Sequence, residues 1–187
     1  MRKLIAGLFV TLDGVTEAPE QWQGPYMNEE VGRALGQCLG EADTLLLGRR
    51  TYEKWAAYWP SAGEHNPFAA QINAMPKAVV SKTLTTAAWE NPTVLAGDPI
   101  EEVAALKAQD GRNILINGST TLVRALLRKS LVDELQLLLH PVAVGHGSRL
   151  FEDGTDRLEL DRAQAFANGV VSLNYVPAGV AVGAART

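Results

Sequence analysis

The 187-residue chain contains a single cysteine, Cys38. That excludes an internal disulfide and any metal centre built on several thiolates. Cys38 falls in a stretch of helical spacing, where a small thiol packs as a hydrophobe rather than acting as a nucleophile. The three histidines, His65, His140 and His146, lack the spacing of a zinc motif, so no metal is expected. No apolar run approaches the ~20 residues that cross a bilayer. The opening MRKLIAGLFVTLDG has too short an apolar part, broken by Asp13, for a secretion signal. No membrane partner is expected, and the cytoplasm is the expected location. Basic residues are not in excess: Lys and Arg number 17 against 21 Asp and Glu, a net charge of -4. No nucleic-acid partner is expected from that balance. Neither G-x-G-x-x-G nor G-x-x-x-x-G-K-[ST] occurs, so the sequence supports neither a Rossmann dehydrogenase nor a P-loop enzyme.

What is present reads as one α/β domain over residues 1–176, with Pro177–Thr187, rich in Gly and Ala, as a frayed tail. Residues 3–12 (KLIAGLFVTL) fit a strand buried on both faces, and Asp13–Pro25 reads as a loop. Asn28 caps a helix to about Glu41, and Thr44–Leu47 is a second strand ended by Gly48. A helix from Arg49 or Arg50 runs to Trp59–Pro60, and Asn66–Pro67 opens a short helix through Met75. Strands follow at Lys77–Ser81 and Pro92–Ala96, with a helix from Asp98–Pro99 to Ala108. Asn113–Asn117 is a strand, Ser119–Arg128 an amphipathic helix, and Val132–Val144 a long strand or a strand and its continuation. Asn168-Gly169 joins a closing hairpin of Leu158–Ala167 and Val170–Val176. The alternation predicts a mixed, mainly parallel sheet with helices on both faces and an antiparallel hairpin at its end.

In such sheets ligands bind where strands end and helices begin. Three of these junctions carry similar chemistry. In Leu47-Gly48-Arg49-Arg50-Thr51-Tyr52-Glu53, a glycine, helix-start amides, two guanidinium groups and a hydroxyl suit an anionic pyrophosphate. A capped helix with solvated arginines fits that run equally well. Ser81-Lys82 suits a terminal phosphate, although an ordinary surface turn looks the same. Gly118-Ser119-Thr120-Thr121 reads as an anion nest or as a simple hydroxyl cap. Gly145-His146-Gly147 is a fourth place for close backbone approach.

Taken in order, TLDG (11–14), LLLGRRTYE (45–53), VVSKTL (79–84), ILINGSTTLVRALL (114–127) and LVDELQLLLHPVAVGHGSRLF (131–151) resemble the reductase domain of bacterial riboflavin biosynthesis. That domain is a member of the dihydrofolate-reductase-like superfamily. The resemblance covers nearly the whole chain and shows no deaminase region. It implies a three-layer sandwich of about eight strands and NADPH as hydride donor. It places Gly48, Arg49, Arg50 and Thr51 on the cofactor phosphates, Ser81 and Lys82 near the 2′-phosphate, and Gly118, Ser119, Thr120 and Thr121 in a second cradle, with Gly145 nearby. Val10 and Thr11 lie at the nicotinamide, and Asp13 at the substrate mouth. Two departures stand out. Asn117-Gly118 replaces the Gly-Gly of dihydrofolate reductases, and Glu29 and Glu30 fall near the start of the first helix, where folate reduction uses a carboxylate, but helix-dipole complementarity explains them equally well.

The function expected is NADPH-dependent reduction of a small heterocyclic or carbonyl substrate, such as a pterin or a ribosylaminopyrimidine. Asp13, Glu17 or water is the proton source, and Trp22 and Tyr26 are substrate contacts, while Trp55 packs inward. The alternative is a nucleotide- or flavin-binding protein of the same fold without turnover. A homodimer is expected, with Leu135–Leu139 as an exposed strand that pairs across a two-fold.

Overall fold

The apolar run near the N-terminus forms strand β1 (Leu4–Thr11), most of it buried. A computed structural model describes residues 1–63, 66–152 and 157–178 of the chain. After β1 come α1 (Glu29–Glu41), β2 (Ala42–Gly48), α2 (Arg49–Tyr58), α3 (Ala69–Ala74), β3 (Lys77–Val80) and β4 (Pro92–Leu95). Then follow α4 (Pro99–Ala108), β5 (Asn113–Asn117), α5 (Thr120–Arg128), β6 (Glu134–His140), β7 (Leu158–Ala165) and β8 (Val171–Pro177). Among the described residues eight strands make one sheet in the order β4-β3-β2-β5-β1-β6-β8-β7. Strands β1 to β6 run parallel, and β8 and β7 are antiparallel. β1 lies between β5 and β6, which is why its sequence is almost continuously apolar instead of alternating.

One face of the sheet presents Leu4, Ala6, Leu8, Val10, Ile114 and Ile116 to Val103 of α4 and to Val123 and Leu126 of α5. The other presents Ile5, Leu45, Leu47, Val79 and Leu115 to Leu39 of α1, Tyr52 of α2 and Ile72 of α3. Trp55 packs against this second cluster, as its helical spacing predicts. Cys38 donates its thiol hydrogen to Gln136 Oε1, and burial pushes the thiol up to about 11, so it behaves as a core hydrophobe. Asn28 caps α1 by accepting from Val31 N at 2.9 Å, and Asp98 caps α4 by accepting from Ile100 N at 2.9 Å.

Several boundaries differ from the sequence reading. β6 stops at His140 and not at Val144, because Pro141 has no N–H to continue a ladder and Gly145 and Gly147 take φ of 75° and 97°. α3 starts at Ala69; Asn66 instead accepts from Phe68 N in a turn before it. The β7–β8 hairpin turns through Phe166–Val170, with Gly169 at φ 85° and its N–H on Phe166 O, a type of turn wider than a two-residue loop. Leu135–Leu139 is not an exposed edge: β6 is paired on both sides, by β1 and by β8. The edge strands are β4 and β7. Most of the expected frayed tail, residues 179–187, and His65 lie outside the described residues.

The edge where the parallel strands begin is closed by charges that meet one another. Arg2 pairs with Asp43 and donates to Thr44 Oγ1 at 2.7 Å and Arg112 O at 2.8 Å. Arg112 N donates to Asp43 Oδ2 at 2.7 Å, and its guanidinium reaches the carbonyls of Gly40 and Ala42. Buried Lys107 donates to Asp133 at 2.5 Å and to Leu131 O at 2.6 Å, while Asp133 also accepts from Leu4 N. These groups hold the first residues of β1, β2, β5 and β6 in register.

Candidate active site

The opposite edge, where the parallel strands end, carries the junctions singled out by the sequence. β2 ends at Gly48 and α2 begins at the next residue. Beside it, the end of β5 leads into Gly118 (φ 65°) and Ser119 (φ 52°), two left-handed residues in succession. Asn117 remains within the strand, so the left-handed pair is Gly118–Ser119. A left-handed Ser costs ~1–2 kcal/mol, and its side chain and backbone offset that locally. Ser119 Oγ accepts from Gly48 N at 2.9 Å, and Thr51 Oγ1 accepts from Ser119 N at 3.1 Å. A Cβ on Gly118 would stand 3.3 Å from Thr51 Cγ2, so the two loops touch. Ser119 therefore does not cap α5 with its hydroxyl; that group is turned to Gly48.

The consequence is electrostatic. Neither α2 nor α5 draws a side-chain cap, and their N-termini lie on the two loops tied together. Helix-start amides without caps, together with the positive end of each helix dipole, are where anions bind. Arg49 is held on the outside of α2 by Glu53, at 2.9 Å to both carboxylate oxygens. Arg50 is exposed and pairs with no described residue. Ser81 is buried, and its Oγ accepts from Thr83 N and Leu84 N, so the hydroxyl serves its own turn and exposed Lys82 carries the free charge there. Thr120 Oγ1 shares a hydrogen bond of 2.8 Å with Thr16 Oγ1.

Asp13 and Glu17 tie the loop after β1 to the segment after β6. Asp13 accepts from Thr11 Oγ1 at 2.5 Å, Gly145 N at 2.8 Å and Val144 N at 3.3 Å. The Thr11 hydroxyl, followed by the Gly145 amide, holds its carboxyl down at about 2. Glu17 accepts from Ser148 N at 2.7 Å, and Ser148 lowers its pKa too, aided by Lys54 and His146 nearby. Both carboxyls are held below their ordinary range, so both are ionised at neutral pH. Glu29 and Glu30 are likewise engaged, Glu29 with Arg33 and Glu30 with Ala167 N and Asn28.

Val10 and Thr11 are buried at the end of β1, on opposite faces of the sheet. Thr11 stands in register with His140 at the end of β6. His140 is fully buried among Phe9, Trp22 and Tyr26, whose rings meet it edge-on with centroids 5.5, 5.1 and 5.7 Å away. Trp22 and Tyr26, expected at a substrate mouth, thus cover this imidazole. Trp22 Nε1 donates to Glu17 O, and Tyr26 OH to Pro141 O at 3.4 Å. His140 was passed over in the sequence because it matches no catalytic or zinc spacing. Its signal was a histidine closing an apolar strand just before a proline.

A cavity of about 230 Å³ opens at the other edge, beside Arg2, Lys77 and Glu102. Arg2 is already satisfied by Asp43, which leaves that cavity without a free recognition group from it. Among the described residues no three His, Cys, Asp or Glu lie together as a metal would need, and no helix is long and apolar enough to cross a membrane.

Comparison with known proteins agrees with this layout. The family model of the RibD C-terminal domain matches residues 2–172. Protein YyaP of Bacillus subtilis (strain 168) is 31% identical over 181 residues, covering 93% of this chain and 94% of YyaP. A putative riboflavin biosynthesis protein from Shewanella sp. PV-4 superposes with a TM-score of 0.77 at 19% identity, covering 94% of this chain and 98% of that one. Dihydrofolate reductase from Enterococcus faecalis, solved with NADP(H), gives a TM-score of 0.66 at 15% identity, covering 94% and 96%. At these identities the two structures establish the fold.

Proposed function

The chain belongs to the RibD C-terminal domain family, and from that premise we propose that it is an NADPH-dependent reductase of a small heterocyclic or carbonyl substrate. The observation that carries the reading is the pair of uncapped helix starts, α2 and α5, on two loops pinned together by Gly48, Thr51, Gly118 and Ser119. They suit a pyrophosphate, with Arg50 beside it as an unpaired guanidinium and Lys82 as the cation for a 2′-phosphate. The Enterococcus relative binds NADP(H) on the same fold, which supports the choice of cofactor.

When bound, the cofactor supplies the hydride. The protein's own part is to bind the phosphates at these two loops and to set the end of β1, Val10–Thr11, against the nicotinamide. Asp13 and Glu17 keep the loop 12–17 on the segment 142–149 and give up no proton, so the proton comes from water. A second reading, a nucleotide- or flavin-binding protein without turnover, draws on the same observation: neither Asp13 nor Glu17 is poised as an acid.

Titration with NADPH, followed by quenching of tryptophan fluorescence, tests the binding. Saturable quenching is expected, and its absence up to about millimolar cofactor would defeat the reading. Loss of absorbance from bound NADPH in the presence of a heterocyclic or carbonyl acceptor supports turnover. Binding with no such loss, or a yellow protein on purification, supports the second reading.

A further inference from the structure

Among the described residues two buried side-chain atoms lack a hydrogen-bond partner, Gln23 Oε1 and His140 Nε2, and only His140 carries a ring whose second nitrogen can serve a ligand. Its Nδ1 lies 2.8 Å from Leu138 O, and a carbonyl only accepts, so Nδ1 carries the hydrogen. In the neutral ring Nε2 is then a bare acceptor. It is buried, with no hydrogen-bond partner among the described residues. Burial lowers the pKa of His140 and outweighs the carbonyls of Leu138 and Val10, which raise it, keeping the ring neutral. An acceptor enclosed by aromatic rings and left without a donor keeps its desolvation penalty, so a donor brought by a ligand is favoured there.

The location gives that donor a meaning. His140 and Thr11 are register partners at the ends of β6 and β1, and Thr11 is where the proposed reductase would place the nicotinamide. The rings that cover His140 belong to a segment of two short 3-10 turns, Pro19–Gln21 and Gly24–Tyr26. Three side-chain bonds hold it, Trp22 Nε1 to Glu17 O, Tyr26 OH to Pro141 O and Asn168 Nδ2 to Tyr26 O, beside its own turn bonds and the packing of Tyr26 on the cluster of Val31, Leu138, Phe166 and Val170. It is entered through Ala18, a non-glycine at φ 46°. The aromatic walls match a flat ring, and the acceptor matches an N–H on its rim.

We propose that His140 Nε2 is a specificity-determining acceptor of the substrate site, selecting flat nitrogen heterocycles that present an N–H once Trp22 and Tyr26 move off it. The inference rests on the reductase reading for the position of the reacting ring, while the acceptor itself is tested without cofactor. With ¹⁵N-histidine protein, the Nε2 resonance is followed while uracil, which has N–H donors, is added, and again with 1,3-dimethyluracil, which has none. Uracil is expected to move Nε2 upfield as it accepts a bond, and the dimethyl compound to leave it in place. His140→Phe is expected to bind uracil about tenfold more weakly, the loss of one hydrogen bond, with NADPH affinity unchanged. No movement of Nε2 with about 10 mM uracil, or equal movement with both compounds, overturns the proposal. So does an Nε2 that is already shifted in the free protein and insensitive to both, which would mean water alone occupies the place. NADPH titration separates the two claims: Nε2 response without NADPH binding removes the reductase reading and keeps the acceptor, and the converse does the opposite.

Discussion

At the edge where the strands begin, Arg2, Asp43, Arg112, Lys107 and Asp133 are tied to one another and to strand-end backbone. At the edge where they end, Arg50 and Lys82 face solvent without partners among the described residues, and two helices start without side-chain caps. Both edges are rich in polar groups, and the difference lies in whether the fold satisfies them. Paired charges at the first edge fix strand register. Unpaired ones at the second form a surface whose complement is an anion, a function kept on a stable frame. Asp13 belongs to the second edge in place but to the first in behaviour, since its carboxylate is consumed in holding Gly145 and Val144.

That contrast breaks if changes at the first edge alter binding, or if changes at the second alter mainly stability. The largest effect is expected from Asp133→Ala, which takes the carboxylate from the Leu4 amide and from Lys107, leaving the ammonium only Leu131 O. Unfolding in urea should show a loss of ~3 kcal/mol, the scale for two hydrogen bonds to a charged group, with NADPH affinity of the folded protein unchanged. Arg50→Ala should weaken NADPH by ~1.5–3 kcal/mol, as for a hydrogen bond to a charged group, with the unfolding midpoint unmoved. Arg49→Ala, which removes a guanidinium already paired with Glu53, should weaken it less, both variants being compared by calorimetric titration with NADPH. Ser119→Ala removes the tie to Gly48 N and should lower stability by ~1 kcal/mol, measured by thermal unfolding, and weaken NADPH as the loops part.

The smallest effect is a change of pH dependence confined to acid. Asp13 has a folded pKa of about 2 against an ordinary 3.8. Its clamp therefore contributes fully above about 4 and is lost as pH falls toward 2, because the unfolded chain takes up the proton first. Stability measured over that range should fall less steeply in Asp13→Asn than in the natural chain.

The layered sheet was legible in the sequence because parallel strands covered on both faces leave apolar runs such as Leu4–Thr11 and Asn113–Asn117, separated by capped helices at Asn28 and Asp98. The glycine junctions were legible too, since Gly48 and Gly118 each follow an apolar strand. What the sequence did not disclose is how the junctions use their hydroxyls. Ser119, Thr51, Ser81 and Thr120 look like phosphate ligands in one dimension, yet each bonds to the chain itself. The bonds of Asp13 to Val144 and Gly145 were not legible either, because those partners lie far along the chain. Leu135–Leu139 looked like an edge because nothing local records that β8 returns to pair with β6. Long-range pairing decided each of these, and no local pattern carries it.

The most direct test of the cofactor edge is a crystal structure of the protein with NADPH. The pyrophosphate should lie between Gly48–Thr51 and Gly118–Thr121 with Arg50 upon it, the 2′-phosphate near Lys82, and the nicotinamide against Val10–Thr11. A cofactor bound anywhere else on the molecule, or phosphates that leave the starts of α2 and α5 untouched, would contradict the account.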